Sequence, residues 1–345
     1  MKIYEERRLK LTENLSGDIA VIIPGSVLAN RSNDTAYPFR QDSNFYYLSG
    51  FNEPDSTLMI ISKSGKTNSI GFVPKKDKLK EIWDGFRYGP DGMKSDFGFN
   101  DAFNNDEIDE LLPDLLDGVS CVYYPFGKVD GFDQKVIKWT KKANSKDRHS
   151  KKMEIADISK VIGNKRLIKD SSEIDIIEKA CKISANAHLE AMKFVKPGMN
   201  ESEVEAFYLY EFAKNGGRFP AYNPIVASGE NACVLHYVEN NQVINDGDLL
   251  LVDAGCEYEM YASDITRTFP ANGKFSDEQL QIYNIVLEAQ KASVDAVSKG
   301  NGVMDPQTMS EKVITEGLID LGIIKGNLEE EHEKGSFKDF YMHKI

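Results

Sequence analysis

The stretch from Leu249 to Arg267 constrains this chain most, because it places two carboxylates, Asp253 and Asp264, in strand-like sequence. Leu249 to Ala254 is apolar on both strand faces, the pattern of a buried strand and not a half-exposed one. An unpaired carboxylate in such a strand is costly, so Asp253 needs a partner. Positions 253 and 264 are symmetric about Tyr258–Glu259. With that pair as a hairpin tip, the two aspartates face each other across the ladder, their Cβ atoms roughly 4.5–5.5 Å apart. Ionised carboxylates that close repel unless a cation lies between them or one takes a proton. A pair of metal ions roughly 3.5–4 Å apart fits the gap. The alternative is a slipped hairpin with one aspartate at the solvent edge, since the tip lacks the Asn-Gly or Asp-Gly signal that pins a register.

Composition narrows the classes that such a site could serve. At 345 residues the chain is long enough for two domains with full-sized cores. A formal net charge of −13 argues against nucleic acid and against an anionic membrane as partners. The N-terminus has no apolar core of a signal peptide, and no apolar run approaches the roughly 20 residues that span a bilayer. Cys121, Cys181, Cys233 and Cys256 are scattered without CxxC spacing, as expected of reduced thiols in the cytoplasm.

The first half alternates helix and strand, which predicts a mixed sheet with flanking helices. Residues 1–16 read as a basic amphipathic helix, and 19–24, 57–62, 69–74 and 119–125 as strands, with a short acidic helix over 105–116. Phe45, Tyr46, Tyr47 and Phe51 form either a ligand surface or, more commonly for such residues, core packing. Trp83 lies in an expected loop, 81–90, where it is a core anchor or a residue offered to a partner subunit. Residues 138–169 are rich in lysine and arginine, including Arg148 and Lys151, and read as a solvated helix face plus a linker.

In the second half, Asp170 with Glu173 predicts a capped helix to Val195, with Ile174, Ile177, Cys181, His188 and Met192 on one stripe. His188 is then a hydrogen-bonded core histidine and not a ligand. Asn200 with Glu203 and Ser276 with Gln279 cap further helices, and Asp305–Pro306 begins another. His236 precedes the Asp253 strand and is a candidate proton carrier beside a metal-bound water. The residues by themselves thus yield two aspartates and a histidine, with only His332 and His343 further on.

Three segments together resemble aminopeptidase P, the Xaa-Pro aminopeptidases of the pita-bread metallopeptidase fold. PheArgGlnAspSerAsnPheTyrTyrLeuSerGlyPheAsnGluPro (39–54) is similar to the family's N-terminal signature. SerGlyGluAsnAlaCysValLeuHisTyrValGluAsn (228–240) is similar to its pre-ligand segment, and 252–270 to the region of its first two metal ligands. The resemblance implies an α/β domain over 1–160 and a pita-bread domain, a curved antiparallel sheet with helices outside, over 161–345. It implies Asp253 and Asp264 as ligands of two divalent ions, manganese being typical. His236 is implied as the assisting histidine, and Trp83 as a residue closing a neighbouring subunit's site in a homo-oligomer. The implied substrates are peptides with proline second, a metal-bridged hydroxide attacking the first peptide carbonyl. PheTyrMetHis (340–343) is similar to the start of the loop that carries the third ligand, with His343 a substrate-contacting residue. The chain departs from that pattern at Lys344–Ile345, so the expectation is a truncated sheet, three ligands short, with impaired activity and doubtful metal binding. The alternatives of the same fold are a non-catalytic binding or assembly module and a prolidase-like dipeptidase.

Overall fold

A computed structural model of the chain describes residues 2–146 and 152–342, in two units, Met1–Asp170 and Ser171–Ile345. The first unit is built on β1 (Ile19–Pro24), β2 (Thr57–Lys63), β3 (Lys66–Val73), β4 (Asp101–Asn104), β5 (Cys121–Tyr124) and β6 (Glu154–Asp157). They form one sheet in the order β4-β3-β2-β1-β5-β6, in which only β2 runs against its neighbours. Successive side chains of a strand point to opposite faces, and both faces of β1 are covered. Ile19, Val21 and Ile23 enter one apolar cluster, while Ala20 and Ile22 enter another. This is the mixed-sheet α/β architecture that the alternating pattern predicts.

Several local readings change. The aromatic cluster is core: Asp42 caps a helix, Ser43–Ser49, whose Phe45 and Tyr47 are buried together with Phe51. Residues 81–90 are not all loop, because Asp77 caps a helix, Lys78–Asp84. Trp83 on that helix is 87% exposed and therefore no core anchor. The basic stretch is not a linker. Its helix Phe132–Asn144 turns Val136 and Trp139 into the core, β6 then pairs in parallel with β5, and the helix Ser159–Leu167 buries Ile162. The first unit therefore runs to Asp170, where the sequence reading ends it at 160. A few apolar side chains at helical spacing outweigh the lysines around them. Arg148 and Lys151 lie outside the described residues.

The N-terminal basic helix forms over Lys2–Thr12, and it turns two of its basic side chains inward, since Arg7 and Arg8 are buried. Arg8 donates to the carbonyls of Leu48 (3.0 Å), Phe97 (3.3 Å) and Gly98 (2.7 Å), and lies 4.3 Å from the centre of the Phe99 ring. Burial lowers its pKa to about 10, which leaves it charged at neutral pH. One guanidinium thus ties the ends of two other helices to the first helix.

The second unit contains β7 (Phe219–Pro220), β8 (Ile225–Ser228), β9 (Leu249–Asp253), β10 (Cys256–Tyr258), β11 (Tyr261–Ala262) and β12 (Thr266–Pro270). They pair as two antiparallel sheets, β12-β9-β8 and β11-β10-β7. The helices Ser171–Phe194 and Glu201–Lys214 pack against this strand system, and the helices Asp277–Ala296 and Asp305–Asp320 pack against each other. The capping boxes at Asn200 and Ser276 form as the sequence predicts. The buried stripe of the helix Ser171–Phe194 does not. Ile174, Cys181 and Met192 are exposed, and the buried face is Ala180, Ile183, Ser184, Ala187, His188 and Ala191. Small residues let the helix approach the strands closely, and that gain displaces the larger apolar side chains outward.

Replacing Arg8 by Met should destabilise the first unit by about 3 kcal/mol, because one buried and two partly buried carbonyls lose a charged donor. Both tryptophans, Trp83 and Trp139, belong to this unit, so tryptophan emission during chemical denaturation reads it selectively. An unchanged midpoint would refute the anchoring role.

Candidate metal centre

The hairpin that carries the aspartates turns one residue later than its symmetry predicts. Tyr258 pairs with Tyr261, so the tip is Glu259–Met260, both in the left-handed region (φ 46° and 70°). Two consecutive positive φ values make a primed turn, whose twist suits a tight hairpin even without glycine. The register follows. Asp253 lies opposite Thr266, and Asp264 falls opposite Gly255. The aspartates are therefore diagonal neighbours on one side of the hairpin, a separation still within reach of long side chains.

The strand itself is half-exposed and not buried on both faces. Leu250, Val252 and Ala254 face the core, while Leu249, Leu251 and Asp253 alternate onto the other side, where Leu251 packs partly buried against Ile225, Ala227 and Tyr237. Asp253 is accordingly half-buried and Asp264 exposed. Each carboxylate keeps access to a ligand from solvent.

Between β9 and β10 the ladder opens around Gly255. A Cβ at this position would stand 1.8 Å from the Ser263 carbonyl oxygen, so the requirement is for space. The opening is held from the side by the buried helix stripe. The Ser184 and Ser263 hydroxyls lie 2.8 Å apart, and the Cys256 amide donates to Ser184 at 2.9 Å. His188 Nε2 lies 3.1 Å from the Ala254 carbonyl and its Nδ1 lies 2.9 Å from the Tyr208 hydroxyl. A carbonyl only accepts, so Nε2 carries the proton and Tyr208 donates to Nδ1. Burial lowers the His188 pKa, in keeping with this neutral form. The residue after Asp253 and the residue before Asp264 are thus both pinned by one helix.

The two carboxylates converge on Tyr222. Its hydroxyl lies 2.5 Å from Asp253 Oδ1 and 3.0 Å from Asp264 Oδ1. Tyr222 is brought there by the Ala221 amide, which donates to the Gly255 carbonyl at 2.8 Å, and by the pairing of Ile225 with Asp253. Burial, and then the hydrogen bond to Asp253, raise the pKa of Tyr222, so it remains a donor. The pair fits a hard divalent cation as two ligands of a larger set: two carboxylates on one side of a hairpin, sharing one hydroxyl, form a notch of negative charge. Among the described residues no group of three or more His, Cys, Asp or Glu side chains gathers into a further metal cluster.

His236 is exposed, on the segment that returns along the free edge of β8. Its neighbour Tyr237 is buried, and Asn240 accepts from the Val226 amide and donates to the Pro224 carbonyl, so the segment covers the edge strand. Trp83 belongs to the other unit, and His343 lies outside the described residues. Sequence reasoning passed over Tyr222, Gly255 and the buried Glu201. Nothing in the local pattern marks the first. A signal for the others was present: a glycine midway between paired strands, and an acid beside a helix cap already supplied by Asn200 and Glu203.

Comparison with known proteins extends these local observations to the whole chain. Residues 4–123 match the aminopeptidase P N-terminal domain, and residues 175–345 match metallopeptidase family M24. The chain is 39% identical to the Xaa-Pro aminopeptidase of Haemophilus influenzae over 99% of its own length and 77% of the relative's. It is similar to the solved Pseudomonas aeruginosa aminopeptidase PepP, with a TM-score of 0.95, 39% identity and coverage of 99% and 77% of the two chains. A zinc-substituted Escherichia coli aminopeptidase P in complex with product gives a TM-score of 0.96 at 38% identity, covering 99% and 78%.

Gly255→Ala should cost on the order of 2–4 kcal/mol, because a backbone carbonyl blocks the added methyl and the hairpin must shift. Thermal unfolding of the variant, followed by helical circular dichroism, tests this. A melting temperature equal to wild type would show that the opening has no steric role.

Proposed function

The chain belongs to the aminopeptidase P family, and on that premise we propose that it is a metalloaminopeptidase releasing the first residue from peptides with proline second. The observation that carries the proposal is the convergence of Asp253 and Asp264 on a single hydroxyl, in a chain similar to Xaa-Pro aminopeptidases over 99% of its length. We assign these aspartates as ligands, with manganese favoured by their hard oxygen donors. When bound, the metal supplies Lewis-acid polarisation of the scissile carbonyl and acidifies the attacking water.

The remaining roles fall to the chain's own groups. Tyr222 orients the two carboxylates by donating to their shared side, as hydroxyls around metal ligands commonly do. An Xaa-Pro bond carries no N–H, so its recognition rests on groups other than an amide donor. Cleavage adds the water oxygen to the carbonyl carbon and breaks the C–N bond, leaving a prolyl nitrogen that must take up a proton. We assign His236 as the imidazole that carries that proton. Exposed Leu79, Ile82, Trp83 and Phe86 on one short helix and its following loop support assembly as a homo-oligomer, with Trp83 directed to a neighbouring subunit. His343 is assigned to substrate contact by its place in PheTyrMetHis. The four cysteines, none of them in a disulfide, support a cytoplasmic location.

Manganese at one hundred times its Kd should stabilise the second unit by about 2.7 kcal/mol, read as a rise in melting temperature that a chelator reverses. Asp253→Asn and Asp264→Asn should each abolish the rise. A tripeptide Xaa-Pro-Xaa should lose its first residue in a metal-dependent reaction, while Xaa-Ala-Xaa is spared. Preference for the Xaa-Pro dipeptide would instead favour a prolidase-like enzyme, and metal-independent behaviour throughout would favour a non-catalytic module.

A further inference from the structure

Glu201 concentrates five hydrogen bonds on one buried carboxylate. Its Oε1 accepts from the Ser228 amide (2.8 Å), the Ser228 hydroxyl (2.7 Å) and Asn231 Nδ2 (3.1 Å). Its Oε2 accepts from the Tyr237 hydroxyl (2.8 Å) and the Gln242 amide (3.0 Å). Every donor comes from residues 228–242, the segment that carries His236. Asn231 also donates to Tyr237 at 3.2 Å, which closes a ring of three side chains.

Helix capping does not account for this arrangement. Asn200 and Glu203 already form a complete capping box at the same helix start. Nor does stability alone require an acid, because a buried charged network is often no more stabilising than apolar residues of equal volume. What a carboxylate with several donors does supply is a fixed geometry. Glu201 sits on the helix Glu201–Lys214, which Val204, Tyr208 and Phe212 lock into the core. A rigid element therefore grips the loop on both sides of His236, at Ser228 and Asn231 before it and at Tyr237 and Gln242 after it. Burial alone would raise the Glu201 pKa, but the donors from Ser228, Asn231 and Gln242 outweigh it and hold the group below the usual carboxylate range. The ionised form thus contributes stability above the ordinary carboxylate pKa, and the contribution is lost as pH falls through the lower folded value.

We propose that Glu201 is the positioning residue for His236, fixing Tyr237 and so the orientation of the adjacent imidazole. The proposal rests on the catalytic assignment of His236 above. Glu201→Gln is the informative substitution. It keeps the shape, but if its Nε2 takes the place of Oε2 it faces the Gln242 N–H, donor against donor.

The His236 imidazole NMR signal, assigned with His236→Gln, should be sharp and dispersed in wild type. In Glu201→Gln it should broaden or move toward the free-histidine position, well below the melting temperature. With a saturating Xaa-Pro tripeptide and manganese, kcat should fall about tenfold or more while KM stays within about threefold. The double variant Glu201→Gln/His236→Ala should be no slower than His236→Ala. An unaltered His236 signal, or losses that multiply in the double variant, would overturn the proposal. If Glu201→Gln does not fold, Tyr237→Phe removes one donor from the same carboxylate and should shift the same signal, and an unshifted signal overturns the proposal equally. Failure of wild type to cleave the tripeptide would count against the proposed activity, while the His236 spectrum would still decide the positioning role.

Discussion

Two carboxylates turned to one side of a hairpin repel each other, and much of the second unit is arranged to keep Asp253 and Asp264 together despite it. The opposition is met in two ways. A hydroxyl, that of Tyr222, stands between them as a shared donor. Rigid backbone supports hold their chain neighbours: Ala254 through His188, and Ser263 through Ser184. The two backbone supports are buried, where a hydrogen bond has little competition from water and is electrostatically stronger, while Tyr222 works at the partly exposed side where a ligand would enter. The helix Ser171–Phe194 therefore acts less as an apolar wall than as a row of small and polar side chains fitted against a hairpin.

The segment bearing His236 is held by a different device. It covers the free edge of β8, a strand that would otherwise present unpaired backbone groups. Asn240 secures it to β8, and Glu201 secures it to the helix behind. An exposed imidazole can then stand on a loop without the loop itself being loose. Buried arginine performs a related service in the first unit, where Arg8 collects three carbonyls. In both units a single buried charged group with several hydrogen-bond partners joins segments distant in the chain.

Features governed by near neighbours were legible in the sequence. The capping boxes at Asn200 and Ser276 and the alternating strands of the first sheet formed as their patterns predict, because each depends on residues a few positions apart. Misreadings arose where a distant surface chose between local options. The hairpin tip moved by one residue because Glu259 and Met260 adopt left-handed conformations that no glycine advertises. The helix Ser171–Phe194 buried Ala180, Ser184, Ala187 and Ala191 with Ile183 and His188, and left Ile174 and Met192 outside, since the strands beside it reward close approach. Trp83, open to either role by composition, proved exposed because the helix that carries it buries none of its residues.

The sequence by itself determined the family, the mixed sheet of the first unit and the identity of the paired aspartates, because these reside in residue types and short spacings. The tertiary structure alone decided which atoms meet: Tyr222 with both aspartates, Ser184 with Ser263, and Glu201 with Tyr237. Those pairs are separated by 31 to 79 residues along the chain. No local pattern encodes such meetings, because they follow from how helices and strands pack once their cores are buried.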